Sequence, residues 1–197
     1  MRRLVLATRN AGKVRELQEA LTELGIELVP VSMFPDAPEV EEDGATLEEN
    51  AMKKARVLAA HTGLPSVADD SGLFVKALGG RPGVHSARYA GPEGDARANV
   101  ARLLAEMSAI PDGSRSAYFR TVIAVVGVPG GEALLSGEIH GMVTREPMGT
   151  EGFGYDPVFI PQGERRTFAE MPLSEKNAIS HRGKAVEELR KWLSQKG

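Results

Sequence analysis

Apolar residues recur along this chain in two periods, and the changes from one to the other outline an alternating fold. Arg3 to Ala7 is a short run of strand length, after which Val14, Leu17, Leu21 and Leu24 repeat at helical spacing with charges between them. Gly25 reads as the stop of this Lys13–Leu24 helix, and Glu27 to Val31 as a second strand. Strand, polar turn, helix, strand is the opening of an α/β fold. An acidic, proline-containing loop follows over 35–44, and Thr46-Leu47-Glu48-Glu49 reads as a capping box that opens a helix running to about His61. Leu64-Pro65 breaks that helix, and Ser66 to Ala68 leads as a strand into Asp69-Asp70, placing the two acids at a strand end.

Gly79 to Gly83 reads as a long turn, and Asp95 as the cap of a helix ending near Glu106. Ala117 to Val128 is a β-branched strand that Pro129-Gly130-Gly131 turns back into Glu132 to Ile139. That antiparallel hairpin makes a mixed sheet the expectation. Gly183 to Gln195 reads as a closing helix, with Ala185, Val186, Leu189 and Trp192 or Leu193 inward, and no repeat or linker divides the expected single domain, 1–197.

Composition narrows the function. With a net charge of −3 and 42% hydrophobic residues, nothing global draws the chain to nucleic acid or to an anionic membrane, so any anion site must be built from local donors. The absence of cysteine excludes disulfides, thiolate metal sites and cysteine nucleophiles. No apolar stretch approaches the roughly 20 residues that span a bilayer, and Leu4 to Ala7 is too short for a signal peptide, so a cytoplasmic protein is expected.

Four polar stretches carry the candidate chemistry. In Thr8-Arg9-Asn10-Ala11-Gly12-Lys13, a strand-to-helix turn offers free backbone N–H groups and a positive helix end, with Lys13 as a mobile charge, which suits a triphosphate tail. The spacing is not that of a P-loop, and the same residues also read as Asn10 capping a helix. Asp69-Asp70-Ser71-Gly72 pairs two acids that are costly to place without a cation or donors. Side chains alternate along a strand, so one acid is expected to meet Mg²⁺ and the other to organise hydrogen bonds, with Asp70 the favoured metal ligand and water activator. A solvated turn with Asp caps is the alternative.

In Gly152-Phe153-Gly154-Tyr155-Asp156-Pro157 the glycines expose an aromatic ring to a flat base, where stacking is worth about 1–3 kcal/mol, unless the aromatics face the core. Near the C-terminus, Ser180 reads as a helix cap, leaving His181 and Arg182 as cations in the first helical turn. The helix dipole opposes them there, and an electron-rich oxygen would relieve the penalty. Lys176 adds a third donor.

With these stretches, and with Glu49-Asn50-Ala51, Leu78-Gly79-Gly80-Arg81-Pro82-Gly83 and Ser86-Ala87-Arg88-Tyr89 between them, the chain resembles the inosine triphosphate pyrophosphatases, the dITP/XTP-hydrolysing purine nucleotide pyrophosphatases, almost end to end. The resemblance implies a two-lobed α/β fold around a long mixed sheet, a nucleotide cleft between the lobes and a working homodimer. It implies Mg²⁺-dependent cleavage of a non-standard purine triphosphate to monophosphate and pyrophosphate. By the same likeness Thr8 to Lys13 and Ser71 hold phosphates, Asp70 is general base and metal ligand with Asp69 and Lys13 beside it in the catalytic set, and Glu42 is a second metal candidate, the acidic loop otherwise reading as a solvated face. Phe153, Gly154, Tyr155, Asp156, Lys176, His181 and Arg182 hold the base and sugar. Arg9 stands where many relatives carry glycine, adding a charge near the phosphates.

Overall fold

A computed structural model describes residues 2–22, 25–92 and 94–195. Strand β1 (Arg2–Leu6) lies between β2 (Ile26–Pro30) and β3 (Ser66–Val75), parallel to both. Two-residue β4 (Pro82–Gly83) runs antiparallel to β3, and β7 (Phe159–Pro161) antiparallel to β6 (Ala133–Val143). With β5 (Ser116–Val126), the described residues form a seven-stranded mixed sheet in the order β2-β1-β3-β5-β6-β7, β4 pairing with β3.

The helices follow from their ends and stripes. Helix α1 (Ala11–Thr22) starts two residues earlier than its spacing predicts, and Leu24 lies outside the described residues. Helix α2 (Leu47–Thr62) is capped by Thr46, whose Oγ1 accepts the Glu49 N–H at 3.1 Å, and ends at Gly63 in the left-handed conformation. Asp95 caps α3 (Ala96–Glu106) by accepting from the N–H groups of Arg97 and Ala98. A short helix absent from the periodicity, α4 (Leu173–Ile179), precedes α5 (His181–Ser194), so His181 and Arg182 do open a helix.

One expectation needs correction: the Asp69-Asp70-Ser71-Gly72 stretch lies not at a strand end but in the middle of β3, buried from Ser66 to Asp70, and it is not the solvated turn of the alternative reading either. Pairing with β1, however, is registered only to Val67, so both acids lie past the end of that parallel neighbour. A run that polarity marks as a turn stays extended here because buried counter-charges meet it.

The chain divides into two compact units. The first comprises Met1–Asp70, Thr121–Gly137 and Arg182–Gly197, and the second Ser71–Arg120 and Glu138–His181. In the first, Leu4, Leu6, Val67, Ile123 and Val125 from strands pack with Leu17 and Leu21 of α1 and Ala185, Val186, Leu189 and Leu193 of α5, Trp192 joining from the edge. In the second, Leu73, Phe119, Ile139 and Phe159 pack with Leu103 of α3 and with Tyr155, Phe168 and Met171. Burying each such large side chain contributes about 1.5–3 kcal/mol.

Candidate active site

The turn from β1 into α1 spends its donors on itself. Asn10 Oδ1 accepts the N–H groups of Gly12 and Lys13 at 3.0 and 3.1 Å, and Thr8 Oγ1 accepts that of Asn10 at 3.2 Å. Asn10 therefore does cap the helix, the alternative its sequence left open. Arg9 reaches the Ala37 carbonyl at 3.4 Å, and Ala11 opens the helix itself. Lys13 points from the first turn to the acids: its ammonium lies 3.1 Å from Asp69 Oδ2.

Those acids are adjacent in the chain and opposite in treatment. Asp69 is wholly buried, facing Lys13 and the Arg182 guanidinium, which lies 3.3 Å from Oδ2. Burial alone would raise its carboxyl, but Lys13, Arg182 and Lys54 together outweigh it and hold Asp69 far below the usual carboxylate range. Asp70 accepts from Asn50 Nδ2 at 3.2 Å and from Lys54 at 3.4 Å. Burial pushes its carboxyl up, Lys54 and Lys13 only partly offsetting it while Glu42 adds repulsion. Alternation along β3 thus sends one acid to a permanent ion cluster and leaves the other short of positive charge.

Lys54 ties the second acid to the acidic loop. Its ammonium donates to Glu42 Oε1 at 2.5 Å and to the Asp69 carbonyl at 2.7 Å. Burial works against its charge, yet Asp70, Glu42 and Asp69 overcome that and raise it.

Among the described residues no group of three histidine or acidic side chains converges to hold a metal. Magnesium asks for less, commonly one or two carboxylates completed by water and phosphate oxygens. Asp70 and Glu42 reach the same ammonium, so hard oxygens from two segments already gather around one positive charge. The donor set fits.

In the second unit, the Gly152–Asp156 stretch closes on its own carboxylate. Asp156 Oδ2 accepts the Phe153 N–H at 2.8 Å and the Lys176 ammonium at 2.6 Å. Gly152 has φ 73°, and a Cβ there would lie 2.1 Å from that oxygen. The glycine is thus required by the turn and not merely by ring exposure. Lys176 lies 4.8 Å from the centre of the partly buried Phe153 ring and 5.7 Å from that of Phe168. Tyr155, by contrast, is buried with its hydroxyl donating to the Ser86 carbonyl at 2.9 Å. That hydroxyl anchors the turn from below. His181 stacks on Phe119 at 4.5 Å with the rings within 8° of parallel.

Arg182 and His181, adjacent at the start of α5, meet different neighbours. Successive helical residues point about 100° apart, and while His181 joins the aromatic cluster, Arg182 turns to Asp69 and Glu16. Its opposition to the helix dipole is relieved by protein carboxylates. Ser71 follows directly on Asp70 in β3, and Gly154, at φ 62°, has open space where a Cβ would be.

Glu16, Asn50 and Lys54 stand beside the acids although the sequence motifs assign none of them a role, Asn50 appearing only within the Glu49-Asn50-Ala51 landmark. Asn50 and Lys54 share the buried stripe of α2 with Leu47, Ala51, Ala55 and Leu58. A polar residue set inside an apolar helical stripe is the signal that finds them.

A model of the Ham1 family matches residues 4–192. The dITP/XTP pyrophosphatase of Geobacter sulfurreducens is 52% identical over 197 residues, covering 100% of this chain and 99% of that protein. Its counterpart in Streptomyces avermitilis is 52% identical over 191 residues, 96% of each chain. The solved structure of a HAM1 protein from Coxiella burnetii superposes with a TM-score of 0.89 at 44% identity, covering 99% of this chain and 100% of that one.

Proposed function

We propose that this chain, which belongs to the Ham1 family, is a nucleoside triphosphate pyrophosphatase that hydrolyses non-standard purine nucleotides (ITP, dITP and XTP) to the monophosphate and pyrophosphate. The observation that carries the reading is the division of labour between Asp69 and Asp70. A wholly buried acid locked as an anion by Lys13 and Arg182 builds the site, and a neighbour raised by burial can take a proton.

The reaction consumes one water. Its oxygen bonds to the α-phosphorus, its proton passes to the Asp70 carboxylate, and the α-phosphorus–oxygen bond to the β-phosphate breaks, with the electron pair leaving on pyrophosphate. Lys13 brings a cation within 3.1 Å of Asp69, fit to meet phosphate charge. Asp70 and Glu42 would hold Mg²⁺, which would supply charge neutralisation at phosphate oxygens. Turning the Gly12 and Lys13 amides to phosphate would release the Asn10 cap, a local cost of about 1 kcal/mol.

For the base, Phe153 supplies a ring, Lys176 a donor and Asp156 an acceptor. A 6-oxo purine accepts a hydrogen bond where adenine offers an amino group. Leaving a buried donor unmatched costs about 1–3 kcal/mol, which disfavours ATP. Lys176, His181 and Arg182 are the donors proposed for this task, Arg182 also pairing with Asp69 and Glu16. A homodimer in the cytoplasm completes the proposal, supported by the likeness to the family.

The test is to measure pyrophosphate and inorganic phosphate released from ITP, XTP, GTP and ATP, with Mg²⁺ and with EDTA. Mg²⁺-dependent pyrophosphate from ITP and XTP is expected. Inorganic phosphate as the first product would move attack to the γ-phosphorus and defeat the mechanism, and ITP binding without turnover would make the chain a sensor.

A further inference from the structure

Asp70 sits in β3 and Glu42 in the acidic loop, and nothing in their spacing along the chain brings them together. What does so is one face of α2. Asn50 is wholly buried, and both ends of its amide are in use. Nδ2 donates to Asp70 Oδ2 at 3.2 Å, while Oδ1 accepts the Gly44 N–H at 2.8 Å. A single side chain therefore bonds the strand with one hand and the loop with the other. Gly44 is fitted to this contact: a Cβ there would fall 2.7 Å from Asn50 Oδ1 and 2.9 Å from Glu49 Cβ, closer than such atoms come without displacement. One turn further along α2, Lys54 meets Glu42 at 2.5 Å, and its half-buried neighbour Lys53 meets Asp43 at 2.6 Å.

We propose that Asn50 is a positioning residue that, with Gly44, latches the acidic loop onto β3 so that Glu42 and Asp70 face one divalent cation. The latch differs from the lysine contacts in kind. Lys53 and Asp43 form an exposed pair of small energetic weight. Lys54 carries its own positive charge to the carboxylates and so cannot remain between them unchanged when another cation arrives. The Asn50 amide is neutral, competes for no charge, and holds loop and strand in either state. The inference rests on the reading that Asp70 and Glu42 share the metal.

Its test uses Mn²⁺ alone as the probe, with no nucleotide, on wild type, Asn50→Ala and Gly44→Ala. Calorimetric or paramagnetic titration gives the affinity, and hydrogen exchange over residues 40–46 reports the loop. Both variants are expected to bind Mn²⁺ roughly 10–100-fold more weakly, the range for losing a partner behind a ligand, with faster exchange across the loop. Gly44→Ala deletes no buried polar side chain, pressing the loop away from Asn50 Oδ1 instead, and keeps the test available if Asn50→Ala folds poorly. Faster exchange with unchanged affinity would reduce Asn50 to a structural contact and overturn the proposal. A wild-type chain that binds no Mn²⁺ would instead overturn the metal reading beneath it.

Discussion

Each unit buries a lysine, and the two lysines keep different company. Lys54 stands among Glu42, Asp70 and the Asp69 carbonyl in a cluster where Lys13, Lys54 and Arg182 face Glu16, Glu42, Asp69 and Asp70. Counted over these described groups, acids exceed cations by one when all are ionised. Lys176 meets one carboxylate, Asp156, under the rings of Phe153 and Phe168. That arrangement is neutral and largely apolar. The difference teaches what each cluster can accept: the first has negative charge to share with an incoming cation, while the second offers a ring and one donor–acceptor pair to a flat, uncharged ligand.

The largest test of this contrast is within the first cluster. Asp70→Asn is expected to lower pyrophosphate release about 10²–10⁴-fold, the usual weight of a general base, while the melting temperature at neutral pH holds or rises. The sign follows from burial, which raises the Asp70 carboxyl. Such a group favours the fold at low pH, and that stability is lost as pH rises through its folded pKa. The variant should therefore gain on wild type across that window. A melting temperature that drops sharply at neutral pH would show Asp70 to be a structural counter-ion instead.

Asp69→Asn should show the reverse balance. Removing it leaves Lys13 and Arg182 facing too little negative charge in a buried place, and breaking such a pair costs about 3–5 kcal/mol. Its carboxyl is depressed, so its contribution is present above the ordinary carboxylate value of about 3.9 and lost as pH falls through the folded value. Denaturant titrations of both chains at several pH values should find the gap narrowing towards acid. A gap that stays constant would remove Asp69 from the ion cluster's energetics.

Smallest is Phe153→Ala in the second cluster. Loss of a stacking surface should raise KM for ITP by about 1–3 kcal/mol in binding terms, with kcat and metal affinity little changed. An equal fall in kcat would mean that the ring acts on the reacting end, and the contrast between the clusters would fail.

Much of the architecture was legible from spacing. The stripe of α1, the Thr46 and Asp95 caps and the inward residues of α5 stand where periodicity and capping chemistry place them, because both act within a few residues. The acid pair, the Lys13 turn and the Gly152–Asp156 stretch were visible as motifs for a related reason: polar runs beside apolar ones are local patterns. Their partners were not. Lys54 and Asn50 look like ordinary polar residues of a helix until the helix is seen to bury them against β3.

The amino-acid sequence by itself determined the alternating α/β plan, the absence of cysteine chemistry and the set of acids and bases from which a phosphate site could be built. Only the tertiary structure decided which acid is which. Asp69 and Asp70 carry the same side chain one residue apart, and what separates them is burial and the cations supplied by α1, α2 and α5. Arg182 likewise meets Glu16 and Asp69, and His181 the Phe119 ring, because a helix turns about 100° per residue. Electrostatic fate is set by neighbours in space, and those neighbours come from segments whose meeting no local pattern records.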